Sequence, residues 1–180
     1  MTTVELSTDY LVIGSGTTGM AFADVIVQES DFDIIIVDMH GQPGGHWNDA
    51  YPFVTLHQPS TFYGVSSLPL GNNRLAQHGF NEGMGELATG AEVTAYFEQV
   101  MRTQLLPSGR VRYFPKCRYT GEGQFESMLT GQKYHVTASA RTVDATALNS
   151  NNFGVGVKTP TGVFTPTPNI RNPNIDAARS

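Results

Sequence analysis

Three observations predict an α/β fold in which a parallel sheet with flanking helices is followed by a three-stranded antiparallel β-meander. Residues 10–13 form a short apolar run that opens at once into Gly14-Ser15-Gly16-Thr17-Thr18-Gly19 and an apolar, helix-like segment. A second apolar run, Ile34–Val37, closes on Asp38. Farther on, short alternating runs are separated by Gly121-Glu-Gly123 and Gly131-Gln-Lys133. Strand, glycine turn, helix, strand and acid, in that order, describe a Rossmann-like unit of the FAD/NAD(P)-binding type.

Each element has a local cause. Gly14 lets the chain turn sharply out of the first strand, a bare Gly16 admits a pyrophosphate to the backbone, and Gly19 lets helix and strand pack closely. The helix, residues 18–29 and beginning near Thr17, turns unpaired N–H groups and the positive end of its dipole toward the turn. Met20, Phe22, Ala23, Val25, Ile26 and Val27 make it apolar on most sides, as suits a helix clamped between layers. The strand Ile34–Val37 is apolar throughout, the pattern of a parallel strand covered on both faces. At its end a carboxylate, Asp38, can accept from both hydroxyls of an adenosine ribose. Residues 39–52 lack periodicity and carry Gly44-Gly45-His46-Trp47. A glycine-rich loop here suggests a cofactor longer than a nicotinamide dinucleotide, its path lined by Gly45, His46 and Trp47. The alternative is a surface Ω-loop anchored by its tryptophan.

Residues 71–90 read as surface loop. Thr89-Gly-Ala-Glu92 then has the form of a capping box, and Val93, Tyr96, Phe97, Val100, Met101 and Leu105 follow at helical spacing, giving a scaffold helix with one apolar face. Val111–Phe114 reads as the next parallel strand. Residues 117–120, 124–129 and 134–138 alternate and form the meander, and residues 142–146 form a strand returning to the centre of the sheet. From about residue 149, asparagine and proline crowd together without periodicity. The expected organisation is therefore a domain of residues 1–148 and an irregular or disordered tail of residues 149–180, with one short hairpin around Thr161-Gly162.

A formal charge of −5 leaves no basic patch, which argues against nucleic acid and anionic membrane as partners. No apolar run approaches the roughly 20 residues that span a bilayer. The first residues lack the basic flank of a signal peptide, so a cytoplasmic protein is expected. Cys117 is the single cysteine, which excludes an intramolecular disulfide and a CxxC redox pair. His40, His46, His57, His78 and His135 are scattered without metal-ligand spacing.

Gly14-x-Gly16-x-x-Gly19, Asp38, Gly44-Gly45-His46-Trp47 and Tyr51-Pro52 resemble the N-terminal FAD-binding portion of flavin-containing monooxygenases and their Baeyer-Villiger relatives. Leu56-His57-Gln58-Pro59, Tyr63 and Leu68-Pro69 are similar to that family's segment beside the flavin ring. The resemblance implies FAD as cofactor. Gly14, Ser15, Gly16, Thr17, Thr18 and Gly19 would meet the pyrophosphate, Asp38 the ribose with Met39 and His40 beside it, and Gly45, His46 and Trp47 the path of the cofactor. His57 and Gln58 would face the ring's edge, Cys117 would lie near the adenine, and Ala145 and Thr146 would close over the cofactor. The chain departs from the pattern at Asp38, where Glu is more frequent, at His46, often Thr, and at His57, often Asn. Ala147 stands where Gly is usual. His57 faces the flavin on this reading, or is simply a satisfied loop histidine, and Cys117 is equally a small buried hydrophobe.

In the family, NADPH bound by a second glycine-motif domain reduces the flavin, and one oxygen atom of O₂ passes to a nitrogen, sulfur or carbonyl centre of a small-molecule substrate. That second domain is not visible in this sequence, so a reductase or partner subunit is implied. The expected function is an FAD-binding oxidoreductase in truncated or partner-dependent form. The alternatives are a dinucleotide-binding module without catalysis and, disfavoured by the Gly-Gly-His-Trp loop and the lack of a Tyr-x-x-x-Lys pair, an NAD-dependent dehydrogenase.

Overall fold

The computed structural model describes residues 2–79 and 81–146, with the strand residues Val157–Lys158 and Phe164–Thr165. The chain divides into two compact units, Met1–Thr146 and Ala147–Ser180. The first contains β1 (Val4–Ile13), α1 (Thr17–Glu29), β2 (Ile34–Val37), α2 (Gly90–Val100), β3 (Val111–Phe114), β4 (Cys117–Gly121), β5 (Gln124–Ser127) and β6 (Lys133–Asp144). Its six strands form one mixed sheet in the order β3-β2-β1-β6-β5-β4. The β1–β2, β2–β3 and β1–β6 pairs are parallel, whereas β5 runs antiparallel to both β4 and β6.

Parallel strands buried on both faces explain the unbroken apolar run of β2, whose four residues are all buried. Alternate side chains take opposite faces. Val12, Ile34 and Ile36 join the cluster that holds α1 and α2 through Met20, Ala23, Val93, Phe97 and Val100. Leu11, Ile13, Ile35 and Val37 pack with Cys117, Phe125 and Val136 on the other. The meander curls over that second face, bringing Phe114 of β3 to 5.0 Å from Phe125 of β5 and 5.4 Å from Tyr134 of β6, ring centre to ring centre.

Two strands are longer than the sequence suggests. β1 begins at Val4 rather than at residue 10, because residues 4–8 pair with residues 134–138 of β6. The third meander strand and the strand returning to the centre are likewise one element, β6, which pairs with β5 at its start and with β1 along its length. Local pattern splits it because much of β6 is exposed and carries no apolar alternation. The scaffold helix has the expected capping box and buries Val93, Tyr96, Phe97, Val100, Met101 and Leu105. It continues past α2 through a π-helical turn at Met101–Leu105 and a 3-10 turn at Leu106–Ser108, ending at Gly109 with φ +73°. Arg110 then reaches back and donates to the carbonyls of Val27, at 2.6 Å, and Ser30, capping the C-terminal end of α1.

In the second unit, β7 (Val157–Lys158) pairs antiparallel with β8 (Phe164–Thr165). These strands flank the hairpin expected around Thr161-Gly162. The turn itself, Ala147 and the rest of the tail lie outside the described residues.

Candidate functional site

The site is built where β1 ends and α1 begins. Gly14 has φ +98°, a conformation L side chains rarely adopt, and its missing Cβ would sit 3.1 Å from the carbonyl oxygen of Ala145. A Cβ on Gly19 would lie 2.1 Å from the Gly14 oxygen, so only glycine allows the turn to close on the helix. A Cβ on Gly45 would fall 2.8 Å from the Cα of Gly16, and the Gly44 N–H donates to the Ser15 carbonyl at 2.9 Å. The loop after β2 is thus seated backbone to backbone on the glycine turn. Gly16 is the N-cap of α1, no side chain caps that end, and the first turn of α1 carries no acidic residue.

Asp38 leaves the end of β2 with its side chain 5% exposed. Its Oδ2 accepts from the Ser15 N–H at 2.5 Å and the Ser15 hydroxyl at 2.7 Å. Its Oδ1 accepts from the His40 N–H at 2.7 Å and His40 Nδ1 at 2.9 Å. Four donors fill the roughly four acceptor positions of a carboxylate. Of these, the Ser15 hydroxyl and the His40 ring are side-chain donors and the other two are backbone N–H groups. His40 also places Nε2 2.9 Å from Asp49 Oδ2. Burial opposes the imidazolium, but hydrogen bonds to Asp49 and Asp38, with their charges, outweigh it and raise the His40 pKa above its ordinary value. Behind Ser15, its hydroxyl is 3.3 Å from that of Tyr113. Burial pushes the Tyr113 phenol well above its usual range, so it stays protonated and can donate to Ser15.

Trp47 lies on the 3-10 turn Gly45–Asp49 and packs against the main core. Its Nε1 donates to the Tyr63 hydroxyl at 2.6 Å, and that hydroxyl also meets Thr17 Oγ1. The tryptophan anchor expected of an Ω-loop is therefore present, and it is tied to the start of α1. The segment after Tyr63 is pinned from two sides. Asp24, fully buried in α1, accepts from the Ser67 N–H at 3.0 Å and from the Ser67 hydroxyl. The Tyr96 hydroxyl accepts from Val65 N–H at 2.7 Å and donates to the Leu68 carbonyl at 2.5 Å.

Of the residues singled out in the sequence, the structure brings together Gly14, Ser15, Gly16, Thr17 and Gly19 with Asp38, His40, Gly45 and Trp47. Ala145 joins them, donating its N–H to the Ile13 carbonyl at 2.9 Å. Thr146 donates its N–H and hydroxyl to Asp144. Thr18, Met39 and His46 border this cluster as exposed residues, His46 tilted over Trp47 at 5.1 Å. His57 and Gln58 also stand exposed, flanking the buried Leu56. The Cys117 N–H donates to the Asp38 carbonyl at 2.9 Å, while its thiol is buried among apolar side chains and its pKa is raised by that burial. Asp49, Tyr113 and the Asp24–Ser67 tie were not foreseen. An aspartate on the buried side of an apolar helix was the one visible signal.

A glycine turn opening an uncapped helix, with a buried acid at the tip of the next strand, defines a Rossmann-like domain of the dinucleotide-binding class. Comparison agrees: the family model for the NAD(P)-binding Rossmann-like domain matches residues 12–79. An uncharacterized protein of Mycobacterium tuberculosis is 52% identical over 145 residues, covering 81% of this chain but 27% of that protein. This chain therefore spans about a quarter of its curated relative. Among solved structures, a flavin-containing monooxygenase from Stenotrophomonas maltophilia superposes with a TM-score of 0.53 at 22% identity, covering 78% of this chain and 38% of that one. A bacillithiol disulfide reductase from Staphylococcus aureus gives a TM-score of 0.53 at 14% identity, covering 79% and 39%. At these identities the likeness is one of fold. Among the described residues, no helix is long and apolar enough to cross a membrane.

Proposed function

We propose that this chain is the FAD-binding part of a flavin-dependent oxidoreductase acting in the cytoplasm on a small-molecule substrate, related to the NADPH-dependent flavin monooxygenases. The observation that carries the reading is the start of α1: glycines leave no room for side chains there, and no cap or acid satisfies the helix end. Such an end favours a pyrophosphate. Asp38, one rotation of Ser15 and His40 away from free acceptor positions, suits the ribose. The Gly44-Gly45-His46-Trp47 loop seated on the turn favours FAD over a shorter nicotinamide dinucleotide. FAD, when bound, would supply the redox chemistry, and this chain's residues would bind and orient it.

A second reading, a nucleotide-binding part without catalysis of its own, is favoured by the chain's 27% span of its relative. On it, NADPH and the reducing site lie outside these residues, whether in a partner subunit, a separate reductase or a further stretch such as the part of the relative that this chain does not span. Titration with FAD and with ADP, followed by an absorption spectrum under NADPH, separates the two. Bound flavin supports the oxidoreductase, most directly where NADPH bleaches it, and ADP bound without flavin supports the second reading. Failure to bind either ligand overturns both. Asp38→Ala should weaken ADP binding by on the order of 1 to 3 kcal/mol, the scale for hydrogen bonds to a charged group. Melting is measured alongside, since Asp38 also holds Ser15.

A further inference from the structure

We infer that Tyr63 is a positioning residue for the pyrophosphate, acting through Thr17; this rests on the dinucleotide reading above. The indole N–H of Trp47 is a donor only, and it occupies the Tyr63 oxygen at 2.6 Å. The phenol has one proton left to give, and its other polar neighbour is Thr17 Oγ1. Were Thr17 the donor, Tyr63 would accept twice and its own proton would find no acceptor among the described residues. The arrangement that satisfies all three groups within the protein itself runs from Trp47 to Tyr63 to Thr17. It leaves the Thr17 proton to be donated onward from the first residue of α1, at the helix end where the N–H groups also lack side-chain acceptors. An anion there meets a hydroxyl already set to donate.

Packing holds the Tyr63 ring in place. Tyr63 lies edge-on to Trp47, with ring centres 6.0 Å apart, and edge-on to the buried Phe97 of α2 at 6.1 Å. Trp47 is carried by the loop that Gly44 and Gly45 fasten to the glycine turn. Tyr63 follows the 3-10 turn Ser60–Phe62, where the buried Ser60 donates to the Glu86 carbonyl and accepts from the Ala88 N–H, both at 2.8 Å. Preorganising a donor in this way removes the cost of turning it when the ligand arrives.

The test compares ADP with adenosine, which lacks the phosphates, by calorimetry on the whole chain. Thr17→Val should weaken ADP binding roughly tenfold or more, the scale of a hydrogen bond to a charged group. Tyr63→Phe should weaken it about threefold to tenfold, since the Thr17 hydroxyl survives but loses its fixed direction. Adenosine binding should be unchanged in both. The double variant should bind ADP no more weakly than Thr17→Val alone, and Thr17→Ser should restore both affinity and sensitivity to Tyr63→Phe. Should Tyr63→Phe fail to fold, Trp47→Phe removes the indole N–H while keeping a ring, and it should weaken ADP selectively. Equal loss of ADP and adenosine, additive effects in the double variant, or wild-type ADP affinity in Tyr63→Phe would each overturn the inference while leaving dinucleotide binding intact. Absence of ADP binding in the unaltered protein would instead remove the reading beneath it.

Discussion

The two long helices begin in opposite ways. At the start of α2, Thr89 accepts from the Glu92 N–H at 3.3 Å while Glu92 accepts from the Thr89 N–H at 2.7 Å. Gly90 behind them is packed against Val54 and Trp47. That end is closed by its own side chains and covered by the loop. At the start of α1 the N-cap is Gly16, no side chain accepts from the backbone, and the first turn holds two threonines in place of an acid. A helix end that serves only the fold satisfies its N–H groups locally. One left open, beside a turn that excludes side chains, is arranged for an anion from outside.

The largest way to break this contrast is at Gly19. A single methyl there meets the Gly14 carbonyl oxygen at 2.1 Å, a backbone atom that cannot move without opening the turn. Gly19→Ala should therefore cost about 1 to 3 kcal/mol of stability or more, the scale of overpacking, and should abolish ADP binding with it. A variant that melts like the wild type would show that the turn is not closed on α1 as described.

Smaller substitutions should separate the two ends. Thr89→Ala removes a cap that serves only α2 and should cost about 1 kcal/mol in denaturant unfolding with ADP affinity unchanged. Thr18→Glu puts an acid on the exposed side of the first turn of α1, where it should stabilise the helix by roughly 0.3 to 1 kcal/mol through the dipole. The same charge should repel a phosphate, so ADP affinity falls as stability rises. Parallel changes in both quantities, in either variant, would erase the distinction between a structural end and a binding end.

How much of this was legible follows from how far apart the interacting residues lie. The glycine turn, the end of β2 and the capping box are local: residue type and spacing within a few positions decide them, and the sequence reading places them within a residue of the structure. β6 is set by pairing with residues 4–13 more than 120 positions away, so its continuity leaves no local trace. The same holds for the side chains that finish the site. Thr17 meets Tyr63 across 46 positions, Asp24 meets Ser67 across 43, and Ser15 meets Tyr113 across 98. A hydroxyl or an aromatic carries no sign of its partner when the fold alone brings them together. His57 differs in kind, since its place beside a flavin rests on resemblance alone; the structure gives it an exposed position next to a buried leucine.

The smallest expected effect concerns the ribose end, which differs from the phosphate end in carrying its own counter-charge. Asp38 is bonded to His40, and His40 to Asp49, so one imidazole ring bridges two carboxylates, one of them almost fully buried. The His40 pKa is raised in the folded chain because these partners favour the charged form more than burial opposes it. A group whose pKa rises on folding binds its proton more tightly in the native state. Its contribution to stability is complete below the unfolded value of about 6.5 and is lost as pH climbs through the raised folded value. The melting temperature of the wild type should therefore exceed that of His40→Gln most below the unfolded value of about 6.5, and the gap should narrow as pH rises through the raised folded value. A gap that widens with pH, or one that does not change, would mean that Asp38 is not held by the imidazolium. The ribose end would then stand as open as the start of α1, and the difference between the two halves of the site would be lost.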